Sequence, residues 1–196
     1  MSSVDDRARG SAVIYRAAVA SLSWFVLTVV LEHLLVPQLT PATHTISEYA
    51  NAGGAAGALM VAGFVLWAGS LATTAVLVLR EPVQGRPVVL RVVRNALFAL
   101  LLIAAVGAIV IAAFPTQASA GLLPPGQVQS ASGRLHGLGS NLIQLCLYPA
   151  VMLSLILPRP RWFALVAMTL LVVAVAVGPA LAELGVDGSG ARQRVQ

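Results

Sequence analysis

The sequence predicts an all-α, polytopic membrane protein whose helices pack as one bundle. Five long runs contain almost no charge, and charged residues make up 10% of the chain, where an ordinary soluble domain has about 25%. The mean hydropathy is +0.88. Each run is long enough to cross a hydrocarbon core of roughly 30 Å, which takes about 20 helical residues. The predicted spans are residues 17–36, 54–79, 95–114, 135–157 and 162–183.

The segments outside these spans are too short to form a second domain. We therefore expect a polar leader over residues 1–11, one transmembrane domain over residues 12–184, and a polar tail over residues 185–196. The first span lacks a signal-peptidase site at a suitable distance, so it is expected to be retained. The single cysteine, Cys146, falls in the middle of the fourth span and is expected to be an apolar packing residue.

The arginines predict how the helices are oriented. Nine of the twelve precede the first span or lie between spans two and three or spans four and five. Cytoplasmic loops are enriched in arginine and lysine, so we expect the amino terminus inside and the carboxyl terminus outside. The expected location is the bacterial inner membrane, with membrane lipids as partners. The arginines do not form the continuous basic face that binds nucleic acid, so no nucleic-acid partner is expected.

Polar residues near the predicted outer boundary are the main functional signal. Charge is costly in hydrocarbon, so polar groups in spans should face protein or water. Ser21, Thr28 and Glu32 share one face of the first span, and His136 begins a stripe that Ser140 and Gln144 continue along the fourth. The residues that gather at this boundary are Glu32, His33, His44, Glu48 and His136.

These side chains allow both chemical and structural interpretations. Histidine and carboxylate can bind a metal or exchange protons, which makes His136, His44 and Glu48 metal candidates and His136 and Glu48 catalytic candidates. Alternatively, Glu48 completes a capping box with Thr45 and the second helix begins near Ile46. In the same interpretation His44 is solvated, Glu32 and His33 reach lipid headgroups, and His136 makes a structural hydrogen bond. No tight metal-ligand spacing is present.

Pairs of glycines predict where helices approach closely. Gly53 and Gly57 are four residues apart at the start of the second span, and Gly133 and Gly137 repeat that spacing at the start of the fourth. Small residues at this spacing let helix backbones pack closely in membranes. We therefore expect spans two and four to contact neighbouring helices at these glycines.

Three short motifs lie at predicted helix ends: THTISEYA at 43–50, FPTQ at 114–117 and GRLHG at 133–137. Together with the span pattern they resemble a bacterial membrane family called domain of unknown function 998, and the resemblance covers roughly residues 12–195. The family resembles six-helix membrane proteins without an agreed activity. Its motif positions here are Ser47, Glu48, Tyr49, Phe114, Pro115, Thr116, Gly133, Arg134 and His136.

This sequence departs from the family pattern at two places. Gln117 stands where the family commonly has an acidic residue, and an amide cannot act as a general acid or as a charged metal ligand. The tail GARQRVQ resembles the turn before a sixth helix, so the five spans would represent either a naturally shortened or a truncated six-span fold. The seam left by a missing helix favours a homo-oligomer.

The favoured hypothesis is a non-enzymatic role in which an outer cluster binds a lipid headgroup or small ligand. The cluster comprises Ser47, Glu48, Tyr49, Arg134 and His136, with Arg134 holding phosphate by charge-assisted hydrogen bonds. The alternative is an intramembrane enzyme acting on a lipid or isoprenoid, with His136 as base or metal ligand and Glu48 as its partner. Transport ranks last, and the residues identify no cofactor.

Overall fold

The computed structural model describes residues 2–40, 44–82, 85–117, 123 and 126–157, with side chains from residue 10 onward. All regular elements within these residues are helices, as the sequence predicts. The predicted fifth span, 162–183, and the tail, 185–196, lie outside the described residues. The helices are α1 (Ser2–Leu35), α2 (Ile46–Tyr49), α3 (Gly54–Leu79), α4 (Val88–Ala113) and α5 (Ala131–Ser154).

Four of these helices are long and apolar enough to cross a membrane. Their apolar segments are Gly10–Leu35, Gly54–Leu79, Val88–Ala113 and Ala131–Ser154. The prediction of a multi-pass helical membrane protein is therefore confirmed for the described part of the chain.

Three of the helices begin before the apolar runs that predicted the spans, and the first of them, α1, begins at Ser2 where the run begins at residue 17. The third span was expected to begin at residue 95, but α4 begins at Val88, directly after Pro87. Arg91 and Arg94 therefore lie on the helix, because arginine is a good helix former whose long side chain can reach the membrane surface. α5 begins four residues before the expected start at 135, since the Ser130 side chain accepts a hydrogen bond from the Gly133 N–H at 3.1 Å.

The membrane helices pack in chain order, α1 on α3, α3 on α4 and α4 on α5. α1 and α3 run antiparallel. The Ser70 hydroxyl donates to the Ala18 carbonyl at 2.9 Å, and further along α1 the Thr28 methyl group lies against Gly63. Between these two contacts the Phe25 ring stacks on Trp67, with centroids 5.0 Å apart. One hydrogen bond and two close apolar contacts thus hold α1 on α3.

α4 and α5 approach most closely at Gly107 and Gly139. These are not among the glycines whose four-residue spacing predicted helix contacts. A Cβ on Gly107 would lie 2.7 Å from the Gly139 carbonyl oxygen, and a Cβ on Gly139 would lie 2.9 Å from that of Gly107. At Gly137, one of the predicted contact glycines, the nearest atom would be 3.9 Å away. The prediction of a helix contact at Gly137 is wrong, because the face of α5 that meets α4 carries Gly139.

Two apolar clusters fill the interior of the bundle. One joins α3, α4 and α5 around Leu71, Leu97 and Leu101, and contains Cys146, which is 6% exposed. Cys146 is therefore the packing residue that the sequence predicts. The other cluster joins all five helices around Tyr49, Met60 and Phe64. We call the end of the bundle at which α2 lies the α2 end.

The short helix α2 is separate from α3, which corrects the expectation of one continuous helix from Ile46. Gly53 and Gly54 have φ angles of 74° and 57°, in the left-handed region that favours glycine. α2 therefore ends at Tyr49 and a new helix begins after the turn. A Cβ on Gly57 would lie 2.8 Å from the Ala50 carbonyl, so the predicted close approach at Gly57 is to the turn that follows α2.

Candidate functional site

An open pocket of about 210 Å³ lies beside α2. Its apolar wall comes from the segment after α1, and its polar groups come from that segment and from α2 with the following turn. Because α2 is only one turn long, its side chains project beside the α1–α2 loop and form a concave surface. The lining residues are Val36, Gln38, Leu39, His44, Glu48, Asn51 and Ala52.

Glu48 combines a structural role with a place in this pocket. Its Oε1 accepts hydrogen bonds from the Thr45 N–H at 2.9 Å and from the Thr45 hydroxyl at 2.8 Å. The predicted reach of Glu48 back to the N-cap residue of α2 is thus confirmed. Glu48 is 5% exposed, so its carboxylate is held in one orientation at the pocket wall.

The other polar residues of the pocket, His44 and Asn51, provide both hydrogen-bond acceptors and donors. His44 is half-buried, and its Nδ1 accepts a hydrogen bond from the Thr40 N–H at 3.1 Å. A neutral His44 ring therefore carries its proton on Nε2. The Asn51 amide donates to the Thr116 carbonyl at 2.6 Å and so joins the turn after α2 to the segment after α4. The pocket is consequently built on residues that are themselves fixed by hydrogen bonds.

Ser47 and Tyr49, two of the predicted ligand-binding residues, are buried in α2. The Tyr49 hydroxyl donates to the Leu39 carbonyl at 2.7 Å, and its ring packs on that of His33 with centroids 5.2 Å apart. The Ser47 hydroxyl lies 3.1 Å from the Thr45 hydroxyl, and it is the donor because Thr45 directs its proton to Glu48. These contacts fix α2 against the loop beneath it.

His136 joins α5 to the end of α4. Its Nδ1 lies 2.7 Å from the Phe114 carbonyl oxygen, and the ring is 6% exposed. A carbonyl only accepts, so Nδ1 carries the proton and donates, which leaves Nε2 as the acceptor nitrogen of the neutral ring. Phe114 is the C-cap residue of α4, whose last carbonyls have no partner within their own helix. This contact is the structural hydrogen bond considered in the sequence analysis.

Arg134 lies on a different face of α5 from His136. Arg134 is exposed, whereas His136 is buried. Residues two positions apart on a helix point in nearly opposite directions, so these two side chains cannot converge on one small ligand. Neither residue lines the pocket beside α2. The predicted ligand-binding residues therefore share one end of the bundle, and among them Glu48 lines the pocket.

Gln117 has a local role at the start of α5. Its Oε1 accepts a hydrogen bond from the Ser130 N–H at 2.7 Å, and the side chain fills the space beside Gly133. The first N–H groups of a helix lack partners within the helix, and a side-chain oxygen can satisfy one near the start. Gln117, the residue after FPT, thus contacts the start of α5 through Ser130. The missing side chain of Gly133 leaves space for the Gln117 side chain.

Replacing Gly133 with alanine is expected to destabilise the protein by about 1 kcal/mol relative to Gly137→Ala, which gains the same helix propensity. The new methyl group would collide with the Gln117 Oε1 and displace it from Ser130, and a hydrogen bond contributes about 0.5–1.5 kcal/mol net. Thermal unfolding in detergent would measure this, with Gly137→Ala as the control because the nearest atom to a Cβ there would be 3.9 Å away. In Gln117→Ala the same Gly133→Ala change should cost almost nothing, and full additivity would contradict the proposed contact.

Glu32 differs from every polar residue described so far. Its side chain is 0% exposed, and neither carboxyl oxygen has a hydrogen-bond partner within the described part of the chain. The expectation that Glu32 reaches lipid headgroups is wrong, because this face of α1 turns toward α3, as the burial of Thr28 one turn earlier also shows. The periodicity of Ser21, Thr28 and Glu32 indicated this shared face, but not the direction in which it points.

No group of three or more histidine, cysteine or acidic side chains within residues 10–157, as far as these are described, is arranged to hold a metal ion. The metal candidates His44 and Glu48 line one pocket, and His136 lies outside its lining. A metal at these residues stays a prediction.

One family model matches residues 18–196, and its description is protein of unknown function (DUF998). The chain belongs to this family. No curated protein and no solved structure matches the chain significantly. Residues from the three sequence motifs described above have defined positions: Glu48 caps α2, Phe114 accepts from His136, and Gly133 accommodates Gln117. These contacts give the motifs a structural role at the α2 end.

Proposed function

We propose that this DUF998 protein binds the polar headgroup of a membrane lipid, or a small ligand with the same groups, in the pocket beside α2. The observation that carries the proposal is the position of Glu48, a nearly buried carboxylate that the capping box holds at the wall of a polar pocket. A fixed carboxylate accepts charge-assisted hydrogen bonds from ammonium or hydroxyl groups. The ligand class is therefore an amine or polyol, such as an ethanolamine or glycerol headgroup.

The proposal places the α2 end at the outer face of the inner membrane. The distribution of arginines supports this orientation, since the loop between α3 and α4, at the opposite end, carries Arg80 and Arg86. At the boundary a headgroup can enter the pocket while its acyl chains stay in the bilayer. Arg134, exposed on the first turn of α5, is suited to a lipid phosphate outside the pocket.

Replacing Glu48 with glutamine is expected to weaken retention of the headgroup about tenfold while preserving the fold. Glutamine keeps an oxygen for the Thr45 N–H but loses the charge, and a hydrogen bond to a charged group contributes about 1.5–3 kcal/mol. Native mass spectrometry with equal amounts of phosphatidylethanolamine and phosphatidylglycerol would measure retention of each lipid. Glu81→Gln is the matched control, because Glu81 is an exposed carboxylate at the opposite end.

A competition experiment distinguishes binding of a whole membrane lipid from binding of a free small ligand with the same polar groups. Displacement of bound lipid by soluble phosphoethanolamine would show that the headgroup alone is recognised, whereas retention would show that the acyl chains contribute. Equal lipid retention by the wild type, Glu48→Gln and Glu81→Gln would remove Glu48 from the site and contradict the proposal.

A further inference from the structure

We propose that Glu32 is a proton-binding site in the interior of the helix bundle, occupied while α1 is packed on α3 and emptied when the two helices separate. The proposal is independent of the α2 pocket, whose lining does not include Glu32. It starts from the observation that a fully buried carboxyl group has no hydrogen-bond partner among the described residues.

The surroundings of Glu32 favour the neutral form. α3 packs against this face of α1 and contains no ionisable side chain from Gly54 to Leu79. Thr28, one turn before Glu32, contacts Gly63, and the antiparallel packing places Glu32 beside α3 residues that precede Gly63. Met60, in that part of α3, is 0% exposed. A charged carboxylate in such an apolar interior is strongly unfavourable without a partner, so the group neutralises instead.

The ionisable groups of the other described helices are engaged or distant. Glu48 forms the capping box of α2, and Tyr49 donates to Leu39. His33, next to Glu32 on α1, packs its ring on Tyr49. In α4 the arginines lie near the opposite end, and in α5 His136 donates to Phe114. No cation among the described residues is therefore placed to neutralise Glu32.

The absence of accessible space identifies the ligand as a proton. A metal ion or an amine needs room beside the oxygens, and the Glu32 side chain has no surface that a water-sized particle can touch. A proton needs no such room. Release of the proton would leave an unpaired charge inside the bundle, so it requires α1 to move away from α3 and admit water. α1 is the least buried of the four membrane-spanning helices among the described residues, with 11% of its apolar window buried, so it is the helix with the fewest buried positions to expose.

Infrared spectroscopy of the full chain at pH 8, in a detergent that has neither ester nor carboxyl groups, would test the proposal directly. Exposed aspartates and glutamates, with reference pKa values of about 3.9–4.3, are ionised at this pH, and a protonated carboxyl shows a carbonyl stretching band that carboxylates lack. We expect this band in the wild type and in Glu81→Gln, and its loss in Glu32→Gln. A wild type without the band, or a band that persists in Glu32→Gln, would overturn the proposal.

A second measurement tests the link to helix packing. If folding keeps a proton on Glu32 that the unfolded chain releases above about pH 4.3, the thermal unfolding midpoint should fall as the pH rises from 5 to 9. Glu32→Gln, which stays neutral and keeps the volume, should have a higher midpoint than the wild type at pH 9 and a flatter pH profile. Parallel profiles for the two proteins would show that no proton at Glu32 is linked to folding.

Discussion

Replacing Gly139 with leucine is expected to separate α4 from α5 and to destabilise the protein by about 3 kcal/mol or more, the upper end of overpacking costs. A Cβ at this position would lie 2.9 Å from the Gly107 carbonyl oxygen, 2.9 Å from the Ile111 side chain and 3.0 Å from that of Val110. A backbone carbonyl cannot rotate away as a side chain can. The helices would therefore have to move apart and give up packing along the face that contains Ile143.

The midpoint of thermal unfolding in detergent, together with the yield of monodisperse protein, measures this effect. Gly69→Leu is the matched control, because Gly69 lies in α3, is exposed, and has no atom within 4 Å of an added Cβ. The control should be neutral or slightly stabilising, since leucine favours helix more than glycine does. Equal stability of Gly139→Leu and Gly69→Leu would refute the close contact between α4 and α5.

Truncating His136 to alanine is expected to lower stability by about 2–4 kcal/mol. The change removes the donor to the Phe114 carbonyl and leaves a cavity where a nearly buried ring was. An unsatisfied acceptor costs about 1–3 kcal/mol, and the cavity adds to that. His136→Asn should recover part of the loss, because its amide nitrogen lies the same number of bonds from the backbone as Nδ1.

The same variants separate a structural role of His136 from a role in ligand binding. If His136 acts through Phe114, lipid retention by the folded fraction of His136→Ala should equal that of the wild type, and His136→Asn should recover part of the lost stability. A variant that keeps wild-type stability but loses its lipid would instead assign His136 to the binding site.

Much of the fold could be predicted because membrane-spanning helices have a strong sequence signal. Long apolar runs located α1, α3, α4 and α5, and the Thr45–Glu48 spacing located α2. Boundaries were less predictable, because charges end an apolar run without ending a helix, as Arg91 and Arg94 show. Close approach at Gly107 and Gly139 depends on two helices that are distant in sequence, and one sequence does not show which glycines will meet.

The site was predictable in location but not in arrangement. Polar residues avoid hydrocarbon, which indicated that Glu48, His44 and His136 lie at one end of the bundle. Orientation around each helix axis was harder to infer, and this is why the predicted cluster included Tyr49, which is buried, and Arg134, which points away from His136. The burial of Glu32 could not be deduced either, since a periodic face shows which residues lie together without showing what covers them.

The packing of each membrane helix on its neighbour in the chain has a consequence for biogenesis. Contacts that are local in sequence have low loop-closure cost and form quickly. As synthesis proceeds from the amino terminus, α3 can dock on α1 as soon as it enters the bilayer, and α4 and α5 can then add in turn. None of α1, α3, α4 and α5 has to wait for a distant partner, so the time during which polar groups such as Thr28 and Ser70 face lipid is kept short.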